Sequence, residues 1–171
     1  MSIFIKIQDL RSELLKRKVS RYLSKEQLLK KQEYIKLEKP FLAKARKTFS
    51  VANLLFRITE HEDLRKLLNL ASDFYMYDWV IIVSYYAMYT SALASMAKLG
   101  FKSKSHAATI AFLEYHYVHK KKMEDRHVDK LSKAYALSES LIAKLIETKI
   151  RRETAHMMQR LLYLGRMQKV P

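Results

Sequence analysis

Between Trp79 and Ala97 the chain carries no charge, no proline and no glycine, while the sequence on either side is crowded with lysine and arginine. A helix that is apolar nearly all round must be buried, in protein or in lipid. The stretch up to Leu99 therefore reads as the mostly buried central helix of a small bundle, with amphipathic helices as its covers. About 20 apolar residues also suffice to cross a bilayer. Against that reading, Ser84, Thr90, Ser91 and Ser95 lie inside the stretch. Tyr85, Tyr86 and Tyr89 sit mid-segment, not at the borders where interfacial aromatics gather. The expectation is a buried helix and no membrane partner.

On both sides, apolar residues recur at spacings of three and four, the signature of amphipathic helices. Ile3 to Leu23 sets Leu10, Leu14 and Leu15 against Arg11, Lys16, Arg17 and Lys18. Ser24 with Gln27 makes a capping-box signature, which predicts that a further helical segment, or a kink, begins there, with Leu28, Leu29, Tyr34, Ile35 and Leu37 as its apolar positions. Pro40 ends that segment and suits the first turn of the next helix. This one should run to about Ile58 on Leu42, Ala45, Phe49, Ala52, Leu55 and Phe56. Thr59 to Asp63 opens a short helix with acids in its first turn, where the dipole favours them, and Leu64, Leu67, Leu68 and Leu70 are its apolar positions. Ser72-Asp73 is a break before the central helix.

Gly100 is a natural cap for the central helix, because glycine adopts the left-handed conformation cheaply. Phe101 to Lys104 reads as a loop, and Ser105 caps a helix reaching about Val118 with Ile110, Phe112, Leu113 and Tyr117 inward. A charged loop, His119 to His127, leads to a long last helix over roughly Val128 to Leu164. Leu131, Leu137, Leu141, Ile142, Leu145, Ile146 and Ile150 are periodic along it, and Gly165 ends it.

Composition narrows the class. With 171 residues, two glycines and two prolines, the chain has room for a core but few turn residues, which disfavours sheets. An all-α, up-and-down bundle of four to five core helices is expected. Residues 1–39 would form an N-terminal helical extension packed on a bundle of residues 40–171. The formal charge of +16 asks for an acidic partner: nucleic acid, an acidic protein or a membrane surface. Without cysteine there is neither a disulfide framework nor thiolate chemistry. Met1 to Lys6 is too short in its apolar part for a secretory signal, and a cytoplasmic location is expected.

No glycine-rich phosphate loop, paired catalytic carboxylates or Ser-His-Asp order is visible. The sharpest chemistry is Arg151-Arg152-Glu153-Thr154-Ala155-His156. Arginine offers a permanent cation with forked donors that fit phosphate, and histidine exchanges protons near neutral pH. Together they suit cleavage of RNA without a metal: the 2′-hydroxyl attacks, histidine moves the proton, and arginine holds the charge developing at phosphorus. Arg151 and His156 are separated by roughly 140° around an ideal helix. Arg152 and His156 share a face. Spacing alone favours a solvated basic helix end with one surface histidine.

His106, His116, His119 and His127 match no zinc signature, and no metal or other cofactor is expected. Tyr75, Tyr77, Tyr85, Tyr86 and Tyr89 suit a core with satisfied hydroxyls better than base stacking. Lys120, Lys121 and Lys122 fit a solvated loop or a track for phosphates.

Several of these residues resemble a known family. Tyr77-Asp78-Trp79-Val80, Ser84-Tyr85-Tyr86-Ala87-Met88-Tyr89, Leu99-Gly100-Phe101 and Ser105-His106 resemble the HEPN domains, and Phe41-Leu-Ala-Lys-Ala-Arg46 resembles their usual start. The resemblance covers about Leu42 to His156 and is nearest to the small stand-alone HEPN proteins of archaea and bacteria. It implies a bundle of four or five helices, usually a homodimer, often encoded beside a minimal nucleotidyltransferase as toxin and antitoxin. Many HEPN proteins are metal-independent ribonucleases with an Arg-x(4–6)-His motif. Arg151 and His156 match that motif at its shortest spacing, with Arg152 in its often polar second position. His106, Lys120, Lys121 and Lys122 are the candidate RNA- or nucleotide-binding residues. A non-catalytic module that binds a nucleotide or a partner protein is the alternative.

Overall fold

The computed structural model describes the backbone of residues 2–167, and side-chain surroundings for residues 10–144, 146, 147 and 157. Helix α1 (Ser2–Ser24) is followed by strand β1 (Leu28–Lys30), a 3₁₀ turn (Gln32–Leu37), α2 (Glu38–Glu60), α3 (Glu62–Leu67) and α4 (Tyr77–Ala97). Strand β2 (Phe101–Ser103), α5 (His106–Leu113), a π-helical turn (Glu114–Val118) and α6 (Asp125–Met167) complete the described chain. The protein is an all-α helical bundle with one small two-stranded ribbon.

Helix α4 is the axis on which the others are hung. Its most extensive neighbour is α2, and α5 and α6 also pack on it. At the α2–α4 corner, Thr59 Oγ1 donates to Leu55 O (2.9 Å) and accepts from Met76 N–H (3.2 Å), so the two helices form an antiparallel hairpin. Arg65 of α3 closes the same corner from beneath. It is 6% exposed, and its guanidinium donates to the Ile58 and Thr59 carbonyls at the end of α2 (3.2 and 2.5 Å). A cation there also complements the helix dipole.

Two apolar clusters fill the bundle. Val19, Leu28, Met96, Phe101, Ala108 and Phe112 join α1, both strands, α4 and α5. Tyr85, Ala92, Leu113, Val128 and Leu131 join α4, α5 and α6. Local chemistry fixes several boundaries as expected. Gly100 takes φ +76° at the end of the turn that follows α4, and a Cβ there would stand 3.3 Å from Lys31 O. Ser105 Oγ accepts from Ala108 N–H and starts α5. Pro40 lies in the first turn of α2.

Several expectations need correction, among them the end of the last helix, since α6 passes through Gly165 and runs to Met167. Ser24 does not open a helix: its hydroxyl donates back to Arg21 O (3.0 Å), closing α1, and Glu26 then turns left-handed at φ 53°. Leu28 to Lys30 and the expected loop at Phe101 are strands paired antiparallel, Leu28 opposite Ser103 and Lys30 opposite Phe101. In α3 the leucines do not lead inward: Leu67 and Leu68 are 77% and 50% exposed, and the buried residue is Arg65. Nor is α4 buried all round, since Trp79 (52%), Tyr86 (44%) and Met88 (37%) reach the surface. Among the described residues α4 is the one helix long and apolar enough to cross a membrane, with 44% of its apolar window buried inside the protein.

Candidate functional site

The open side of α4 forms the floor of a groove of about 880 Å³. Met88, Ser91, Ala92 and Ser95 contribute the floor, Leu113, Val118 and Met123 one wall, and His127, Lys130 and Leu131 of α6 the other. Lys121 and Lys122 stand at its rim because the chain reverses sharply after the π turn. Lys121 takes φ 55°, and the Lys121 and Lys122 amides bond to the Val118 and Tyr117 carbonyls (both 2.8 Å). A smaller groove of about 360 Å³, between α4 and the Leu42–Phe49 face of α2, shares Met88 and Ser91 with the first.

Charge at this groove is lopsided. Its two acids are already engaged: Glu124 pairs with Arg126 (2.8 Å) and Asp125 with Arg11 (3.3 Å). Lys121, Lys122 and Lys130 make no ion pair among the described residues. The groove hydroxyls are bonded to their own helix, Ser91 Oγ donating to Ala87 O (3.0 Å) and Ser95 Oγ to Ser91 O (3.2 Å). What remains is an apolar trough with a cationic edge.

His106 lies elsewhere. It starts α5 and is packed among aromatic rings, with centroids 4.2 Å from Tyr89 and 4.5 Å from Tyr135. The Tyr85 hydroxyl is hydrogen-bonded to His106 Nδ1. Burial lowers the His106 pKa and raises that of Tyr85, so both groups are held neutral. Both being neutral, the bond runs either from the Tyr85 hydroxyl to an unprotonated Nδ1 or from Nδ1–H to the Tyr85 oxygen, according to the tautomer. Of the five tyrosines expected in the core, Tyr85 is buried and Tyr89 half-buried, whereas Tyr75, Tyr77 and Tyr86 are exposed. Lys120 is separate again, its ammonium 5.8 Å from the Tyr115 ring centre. Of the four candidate binding residues, Lys121 and Lys122 line the groove and His106 does not.

The other histidines are also dispersed. His116 stacks on Phe112 with centroids 4.2 Å apart, and His127 faces the groove. Among the described residues no three His, Asp or Glu side chains come close enough to hold a metal ion. Burial, followed by repulsion from Lys120 and Lys30, drives the His116 pKa down from 6.5 to about 4. Because the folded value is the lower one, the unfolded chain binds the extra proton, and stability falls as pH drops from about 6.5 towards 4. Urea unfolding of wild type should show its midpoint declining across that window, and His116→Phe should flatten the decline.

Arg151, Arg152 and His156 fall within α6, but their side chains lie outside the described residues. Their distance from the groove follows from the backbone: a helix advances 1.5 Å per residue, so Arg151 is about 30 Å along α6 from Lys130. Within one chain the basic groove and the Arg-His pair are separate places.

Lys121 and Lys122, singled out in the sequence as part of a lysine run, line this groove, and Ser91, His127 and Lys130, not singled out as binding residues, line it too. The available signal was the row Ser84, Met88, Ser91 and Ser95, which recurs at helical spacing along α4 and is less bulky than a core face. Compared with known proteins, the chain matches no family model, no curated protein and no solved structure.

Proposed function

We propose that this chain is a HEPN-type, metal-independent ribonuclease, the toxin-like member of a pair with a minimal nucleotidyltransferase, acting as a homodimer. The observation that carries the reading is the placement of Arg151-x(4)-His156 within one uninterrupted helix, in a chain of charge +16. Helical backbone puts Arg152 and His156 one turn apart, so an arginine and a histidine can address the same phosphate. In a dimer the two motifs face one cleft. One histidine takes the proton as the 2′-oxygen attacks phosphorus, and its counterpart in the second copy protonates the departing 5′-oxygen. The P–O5′ bond breaks, leaving a 2′,3′-cyclic phosphate and a 5′-hydroxyl. Purified protein should therefore cut single-stranded RNA in EDTA and leave those ends. Affinity for RNA should fall steeply with salt as counterions are released.

The separation of about 30 Å between Lys130 and Arg151 along α6 favours a second reading, a non-catalytic module that binds a nucleotide or a partner in the groove. Absence of cleavage with retained binding would select it.

A further inference from the structure

We propose that the groove along α4 is a docking site for an acidic amphipathic helix of another protein. Helices α2 and α6 both pack on α4, yet among the described residues they make no more than marginal contact with each other. The gap between them is the position a further helix of a bundle would occupy. Its floor runs from Ser84 to Ser95, roughly 16 Å of helix axis, or three turns of an occupant.

The surface chemistry suits a helix. Ser84, Ala87, Ser91 and Ser95 are small and recur at helical spacing, which lets a second backbone come near the usual helix-packing distance. The Ser91 and Ser95 hydroxyls are satisfied by their own helix, so they offer no unmet hydrogen bonds to a polar ligand. Met88 (37% exposed) and, on the α2 side, Leu42 (40%) and Phe49 (61%) give the apolar ridges that a helix in a groove packs between.

The sign of the occupant follows from the rim. Lys121, Lys122 and Lys130 at one end and Arg46 at the other are free of ion pairs among the described residues, while Glu124 and Asp125 are neutralised by Arg126 and Arg11. A second copy of this chain is a poor occupant of this groove, because its amphipathic helices α1, α2 and α6 each carry more lysine and arginine than acid and would set like charge against the same lysines. An acidic helix gains steering and register from them.

The inference rests on the groove and is independent of RNA cleavage. The test is selection from a displayed library of four-turn helices on the intact protein, followed by anisotropy measurements with the winning peptide. The expected winners carry Leu, Ile or Met at i, i+3, i+4 and i+7 with Glu and Asp on the flanks. Ser91→Trp fills the floor and should weaken the winner at least tenfold without shifting the thermal unfolding midpoint. Lys121→Glu/Lys122→Glu/Lys130→Glu should weaken it comparably and reverse its salt dependence. The proposal is overturned by a library that yields no binder, by winners with no acidic excess, or by a winner that binds Ser91→Trp as well as wild type. Displacement of the peptide by single-stranded RNA would also overturn it, assigning the lysines to RNA. RNA cleavage is read on Ser91→Trp in parallel: loss of peptide with cleavage retained keeps the two sites distinct, and absent cleavage in wild type leaves the peptide result standing.

Discussion

His156→Ala should slow RNA cleavage about 10²–10⁴-fold, the usual worth of a positioned general acid or base. Binding of RNA should change little, because a single imidazole contributes little to phosphate affinity compared with the chain's 33 lysines and arginines. Arg151→Ala should lower both rate and affinity, since a permanent cation serves the phosphate in the ground state as well as the transition state. Arg152→Ala decides the geometry. Positions 152 and 156 lie on one face, whereas 151 and 156 are roughly 140° apart. If Arg152→Ala matches or exceeds the loss in Arg151→Ala, then Arg152 is the residue that works with His156. Single-turnover cleavage beside a filter-binding titration separates the two effects.

Phe112→Ala should cost about 3–5 kcal/mol of stability, which is a large share of the 5–15 kcal/mol typical of a whole domain. Phe112 is fully buried, with ring centroids 4.7 Å from Phe101 and 4.2 Å from His116. It lies where α1, the ribbon, α4 and α5 meet, so little can collapse into the space it leaves. Phe49 makes the contrast. It is the same residue type at an equally periodic position, but it is 61% exposed. Phe49→Ala should stay within roughly 0.5 kcal/mol. Urea midpoints at unchanged slope would measure both.

Those two phenylalanines also show what the sequence could and could not reveal. Periodicity marks the face of α2 that bears Ala45, Phe49 and Ala52, but not which edge of that face receives a cover. Ala45 and Ala52 are buried beneath α4, while Phe49 is left open. Caps were legible because Ser105, Gly100 and Pro40 act on backbone within a turn of themselves. The ribbon was not, because strands of three residues are too short to show alternation, and their pairing joins positions some seventy residues apart, Leu28 with Ser103. Arg65 was missed for a similar reason. Its burial is compensated in part by the Ile58 and Thr59 carbonyls across a corner, with Nε left unpaired among the described residues, so its charge misled as much as the exposed Leu67 did. The charge-free run of α4 located the centre of the bundle and concealed its open face. The candidate groove is assembled from α4, the turn at Lys121 and the start of α6, and only the lysine run was visible as local sequence. Arg151 and His156 were legible as a motif because they are neighbours on one helix.

The central reading is that RNA is cut through its own 2′-oxygen. The direct measurement uses an otherwise DNA oligonucleotide with one ribonucleotide, incubated with purified protein in EDTA, with the ends identified by mass spectrometry. Cleavage confined to the 3′ side of that ribose, leaving a 2′,3′-cyclic phosphate and lost in His156→Ala, is the predicted result. Intact substrate, cleavage at deoxyribose positions, or equal cleavage by His156→Ala would contradict it.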